Sequence, residues 1–80
     1  MLSNYEHIII SAVRYALSRR TYIVGTTVDY VIDILPELSK NCKEIIIRDI
    51  EQPLGGYGDE CDKVEWMHLL AKLKEDINNN

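Results

Sequence analysis

A helix-start signal recurs four times along this chain of 80 residues: Ser3 with Glu6, Thr26 with Asp29, Asn41 with Glu44, and Asp62 with Glu65. In each pair a side-chain oxygen can accept a bond from a first-turn N–H that has no partner inside the helix. The acid three residues on can reach back, and its charge complements the positive helix end. Four such starts leave room for little except helices. The expected fold class is therefore all-α, a small bundle of about four short helices forming a single helical domain over 1–80, with a very short strand-like connector at 21–24.

Apolar spacing sets the expected boundaries. Tyr5, Ile8, Ile9, Ala12, Val13, Ala16 and Leu17 recur at three and four residues, so the first helix is expected from Asn4 to about Arg20 with this stripe buried. Tyr22-Ile23-Val24 ends at Gly25 and reads as the connector into the Thr26 cap. The second helix presents Val28, Val31, Ile32, Leu35 and Leu38 on one side and Asp29, Asp33 and Glu37 on the other, and Pro36 marks its kink or end. The third segment, Cys42 to about Glu51, is ambiguous. Its β-branched triplet Ile45-Ile46-Ile47 would suit a buried strand, whereas the Asn41 cap and the Glu44 to Arg48 spacing favour a helix. Pro53 to Glu60 is the one turn-rich loop, expected to be mobile, and the last helix runs from Lys63 to about Ile77 with Trp66, Leu69, Leu70 and Leu73 on its apolar face.

A domain this small buries only ~60–65% of its unfolded surface, so association with further copies is the expected source of extra stability. An apolar fraction of 46% is that of a globular chain, and no uninterrupted apolar run approaches the ~20 residues of a membrane span. The first residues lack the basic start and apolar block of a signal sequence. The reading is a soluble, cytoplasmic protein with no membrane contact. Cys42 and Cys61 form no C-x-x-C pair and are expected reduced, as small core residues. His7 and His68 lack the short ligand spacing of a zinc site, so no metal or other cofactor is expected.

Charge is distributed unevenly. Residues 1–25 carry three arginines and one acid, whereas residues 26–80 carry six basic and twelve acidic side chains, and the whole chain has a formal net charge of −4. That balance argues against direct nucleic-acid binding, which needs a broad basic surface. It leaves room for a local anion site in Arg14-Tyr15-Ala16-Leu17-Ser18-Arg19-Arg20-Thr21-Tyr22, where guanidinium forks stand beside phenol faces. The candidate ligand-binding residues are Arg14, Arg19, Arg20, Thr21, Tyr22 and Arg48. Each has a plainer reading: Arg19 and Arg20 as cations at a helix carboxyl end, the arginine cluster as structural pairing with Asp29, Asp49 or a partner chain, and Arg48 as a surface pair with Glu44 and Glu51. Gly55-Gly56-Tyr57-Gly58 has the glycine content of a phosphate loop without its lysine, and Asp59, Glu60 and Asp62 would repel a phosphate there. No serine or cysteine has a histidine nearby in sequence, so a non-enzymatic role is expected.

The segments Arg14 to Val24, Arg48-Asp49-Ile50-Glu51 and Asp62-Lys63-Val64-Glu65-Trp66 together resemble a group of small uncharacterised accessory proteins encoded by phages and prophages of low-GC Gram-positive bacteria. The resemblance spans most of the chain, although the group carries glycine where this chain has Ser18. It supplies no catalytic residues. It implies a setting in the host bacterial cytoplasm in which a small protein antagonises host defence by binding something. Two functions are then in contention. One is sequestration of an anionic, nucleotide-type ligand on the arginine and tyrosine cluster of a homo-oligomer. The other is inhibition of a nucleic-acid-guided nuclease, in the manner of an anti-CRISPR protein, through the acids Asp29, Asp33, Glu37, Asp59, Glu60 and Asp62.

Overall fold

A computed structural model describes residues 2–18, 23–53, 56–57 and 60–79. Four α-helices account for most of them: α1 (Asn4–Ser18), α2 (Ile23–Asp33), α3 (Lys40–Glu51) and α4 (Glu60–Asn78), with a 3₁₀ turn at Leu35–Glu37 between α2 and α3. The all-α bundle expected from the capping signals is the fold observed. α2 and α3 each pack against both α1 and α4, and all four helices contribute buried residues to one core. The Cα radius of gyration, 11.6 Å, is that of a compact chain, for which about 12 Å is expected at this length.

The first cap forms as read. Glu6 N–H donates to Ser3 Oγ and Ser3 N–H donates to Glu6 Oε1, each at 3.1 Å, which closes a reciprocal capping box. The other three starts lie elsewhere. α2 begins at Ile23, so Ile23 and Val24 are helical and no strand-like connector exists there; residues 21–22 of that segment lie outside the described residues. The reason is burial. Val24, Val28 and Val31 are buried at helical spacing, and the gain from adding Val24 to that face outweighs the β-branched preference and the glycine that follows. α3 is capped by Ser39, whose Oγ accepts from Cys42 N–H at 3.2 Å, two residues before the expected Asn41. α4 starts at Glu60, which places Asp62 inside the first turn as a favourable dipole charge instead of the cap.

Pro36 ends α2 as expected. It has no N–H to continue the ladder and biases its predecessor away from helical geometry, so the chain tightens into the 3₁₀ turn, where Glu37 N–H donates to Ile34 O and Leu38 N–H to Leu35 O. The Ile45-Ile46-Ile47 ambiguity resolves to helix because Cys42, Ile46 and Ile50 are fully buried at a spacing of four, with Ile45 and Ile47 half-buried on either side. The core gathers these with Val13, Val28, Trp66, Leu69 and Leu73, all at 0% exposure. The end of α1 falls at Ser18, whose Oγ donates to Tyr15 O at 2.9 Å, and the expected continuation through Arg19 and Arg20 lies outside the described residues.

The loop after α3 is tied down where it is described. Gly56 adopts φ +77, a left-handed turn conformation open to glycine at little cost, and Tyr57 packs against the core while its hydroxyl donates to Ile50 O, one of the carbonyls left open at the α3 carboxyl end. Cys42 is buried and Cys61 exposed, both as free thiols, so only Cys42 is the core residue expected. No helix among the described residues is long and apolar enough to cross a membrane.

Candidate functional site

Arg14 projects from α1 towards α3. Its Nε donates to Asp49 Oδ2 at 2.7 Å and its Nη2 approaches Asp49 Oδ1 at 3.5 Å, a side-on pairing that fixes the guanidinium plane. The Arg14 side chain remains 60% exposed while Asp49 is only 19% exposed. The carboxylate therefore serves as an anchor, and one face of the fork stays in solvent. Of the structural pairings expected for the arginine cluster, the one with Asp49 is formed by Arg14.

Arg48 precedes Asp49 on α3 and is turned a quarter of the helix circumference away from it. It lines a groove of about 470 Å³ between α3 and the end of α4, with Glu44, Ile47, Glu51, Lys74 and Ile77. The expected surface pairing of Arg48 with Glu44 or Glu51 is absent among the described residues. Lys74 Nζ takes Glu51 instead, with 2.8 Å to Oε2, and leaves the Arg48 guanidinium without an ion-pair partner there. An arginine and a lysine set beside an apolar floor can hold an anion, though Glu44 and Glu51 balance their charge. Arg19, Arg20, Thr21 and Tyr22 lie outside the described residues. Of the candidate ligand-binding residues, the structure thus places Arg14 and Arg48, on opposite sides of the α3 turn that carries Asp49.

Three polar constellations have no counterpart in the sequence reading. The first extends the Ser3 box: Glu6 is buried at 7% exposure, and its second oxygen, Oε2, accepts from Ser39 N–H at 2.7 Å. One carboxylate therefore serves the starts of α1 and α3. Backbone bonds from Ser39 and Ser3 favour its charged form and hold its pKa down at about 2. The second is Lys43 with Asp76, an ion pair between α3 and the last turns of α4 whose lysine side chain is only 7% exposed. The third joins two exposed phenols, Tyr5 OH and Tyr30 OH, at 3.5 Å, and that hydrogen bond is the main cause of a Tyr5 pKa pushed up to about 12, with the nearby Glu37 charge adding to it. The local spacing of Ser3 with Glu6 was a readable signal; the partners 25 to 33 residues away were not, since only packing brings them close.

The acidic residues are partly contiguous. Asp29 and Asp33 on α2 and Glu37 in the 3₁₀ turn are all exposed, Asp62 is half-buried, and Asp59 and the Glu60 side chain lie outside the described residues. Among the described residues, His7, His68, Cys42 and Cys61 do not gather with other ligand types into a group of three or more. No protein-family model, curated protein or solved structure matches this chain.

Proposed function

We propose that this chain is a non-enzymatic, phage- or prophage-derived binding protein that acts in the bacterial cytoplasm and antagonises a host defence system by sequestering an anionic, nucleotide-type ligand as a homo-oligomer. The observation that carries this reading is the pose of Arg14. Its guanidinium is oriented by a half-hidden carboxylate yet keeps a solvent face, the arrangement that lets an arginine meet phosphate oxygens without first losing its rotamer freedom. Arg19, Arg20, Thr21 and Tyr22 follow directly after the last turn of α1 in sequence, and Arg48 adds a guanidinium with no acidic partner among the described residues. Sequestration needs affinity and no reacting group, which suits a surface of this composition.

The test is isothermal titration with a nucleoside diphosphate and with a cyclic dinucleotide, on the wild type and on Arg14→Ala, Arg19→Ala, Arg20→Ala and Arg48→Ala. A charge-assisted phosphate contact is worth about 1.5–3 kcal/mol, so each ligating arginine lost weakens binding about ten- to a hundredfold. Lysine does not restore it, for want of the planar fork. Asp49→Asn lowers affinity, because it removes the carboxylate that orients the Arg14 fork. Absence of binding to either probe, or arginine variants that lose thermal stability in step with binding, refutes the reading.

A second reading has its own observation. The exposed run Asp29, Asp33 and Glu37 presents three carboxylates at intervals of four residues, as a surface mimicking nucleic acid would. Charge reversal at those three positions abolishes inhibition of a nucleic-acid-guided nuclease if this reading holds, and leaves nucleotide binding unchanged if the first one does.

A further inference from the structure

Between the 3₁₀ turn, the first turn of α3 and the last turn of α4 lies a second cleft, of about 290 Å³, lined by Pro36, Leu38, Lys40, Lys43 and Ile77. Three of the lining residues are apolar and two carry ammonium groups; among the described residues no carboxylate lines it. It stands at the far end of α3 from Asp49 and the Arg14 fork, since the helix rises about 13 Å from Lys40 to Asp49. Lys43 is the informative residue. Its side chain is 7% exposed, and an ammonium taken that far out of water needs an acceptor for each of its three N–H groups. Asp76 accepts one of them, and Lys43 Nζ has no other acceptor among the described residues. Two donors of a buried cation are left over beside a cleft. Stability alone does not account for the arrangement, because an apolar residue in place of a buried lysine commonly serves as well or better.

We propose that this cleft is a binding site for a small monocarboxylate with an apolar tail, its carboxylate accepting from Lys43 and Lys40 and its tail lying on Pro36, Leu38 and Ile77. Charge, position and size select that chemistry. Lys40 is exposed and without an ion-pair partner among the described residues, so it leaves one positive charge at the cleft once Lys43 is set against Asp76. One carboxylate neutralises that charge, whereas a phosphate dianion would overshoot it. Glu37 does not line the cleft, and Glu6, at the same helix start, is already engaged by Ser39 and Ser3. Lys40 is also the first residue of α3, the end at which the helix dipole favours an anion. Size limits the tail. At ~30 Å³ for a water-sized group, 290 Å³ holds about ten non-hydrogen atoms. The class is therefore that of medium-chain fatty acids and branched α-keto acids, and a nucleotide is too large for it. The site is separate from the arginine cluster and does not rest on the nucleotide reading.

Isothermal titration tests this with octanoate and with the α-keto acid of leucine, on the wild type, Lys40→Ala, Lys43→Met and Arg14→Ala. Acetate and octanol serve as probes of the charge alone and the tail alone. At least one of the two acids is expected to bind with a Kd of about 1 mM or below, and acetate and octanol about tenfold or more weakly. Lys43→Met is expected to weaken binding about tenfold or more and Lys40→Ala about two- to fivefold, while Arg14→Ala leaves it unchanged. A preference for octanoate assigns the cleft to fatty acids and a preference for the keto acid assigns it to amino-acid carbon skeletons; both support the proposal. No binding of either acid below about 10 mM overturns it. Octanol binding as tightly as octanoate overturns it too, because the lysines then contribute nothing. Circular dichroism of each variant reports the fold. Unchanged affinity in a folded Lys43→Met protein, or in Lys40→Ala, whose position is exposed, places the acid elsewhere on the chain and also overturns the proposal. Nucleotide titrations on the same proteins succeed or fail independently, since neither lysine belongs to that reading.

Discussion

Removing Asp76 should damage this protein far more than removing its partner Lys43, although both changes delete the same ion pair. The Lys43 ammonium is almost fully enclosed, with the side chain 7% exposed, against 28% for Asp76. Asp76→Ala strands a cation in the interior. Breaking a buried pair from one side costs about 3–5 kcal/mol, and the partial exposure of Asp76 lets some water reach the lysine, which lowers this to about 2–3 kcal/mol. For a domain with about 4–12 kcal/mol of total stability that is a large share, and it corresponds to a fall in Tm of about 10–20 °C. Lys43→Met takes away the charge and keeps an unbranched chain beside Pro36, Leu38 and Ile77, while Asp76 retains access to water. It should stay within about 1 kcal/mol of the wild type, as buried ion pairs replaced by apolar residues commonly do. The double variant should match Lys43→Met more closely than Asp76→Ala, giving a coupling energy of about 2 kcal/mol. Thermal and urea melts followed at 222 nm, and by the fluorescence of Trp66, the single tryptophan, measure all four proteins. Equal losses in the two single variants, or an Asp76→Ala protein that melts within about 3 °C of the wild type, refute the reasoning.

Three further outcomes follow from individual side chains. The Glu6 carboxyl is held at about 2 in the folded chain against an ordinary 4.5, so its contribution is fully present above pH 4.5 and is lost as pH falls towards 2; the wild type should lose stability across that window in acid melts, and Glu6→Gln should be less stable at pH 7 with a flatter dependence. With dithionitrobenzoate at pH 8, Cys61 should react at once, while Cys42, fully buried and pushed up to about 11 chiefly by that burial, should react only at the rate of unfolding; two fast thiols in native protein would contradict the packing. Gly25→Ala should raise stability by about 0.4–1 kcal/mol in the same melts, because the added methyl would meet nothing closer than Glu65 Oε2 at 3.8 Å and the helix would lose a glycine.

Helix content and the order of the helices were legible in the chain because those signals are local, but the buried face of α1 was read only in part: Ile9, Val13, Ala16 and Leu17 are buried as expected, whereas Tyr5, Ile8 and Ala12 of the expected stripe are exposed and Ile10 is buried. Ser3 and Glu6 meet within one turn and Pro36 stops a helix wherever it stands, whereas Ile8-Ile9-Ile10 offers adjacent apolar faces and three-four spacing fits more than one of them. Helix starts were less legible. At Ile23, Ser39 and Glu60 several residues could begin a helix, and the packing of Val24 and the bond from Ser39 N–H to Glu6 chose among them. The site divides along the same line. The types and density of the arginines are properties of the sequence; that Arg14 is oriented by Asp49, that Lys74 rather than Arg48 takes Glu51, and that Lys43 lies sealed against Asp76 are decisions of tertiary structure. Each depends on which faces of separate helices meet, and a period of 3.6 residues narrows the face a helix can bury without fixing the neighbour that covers it.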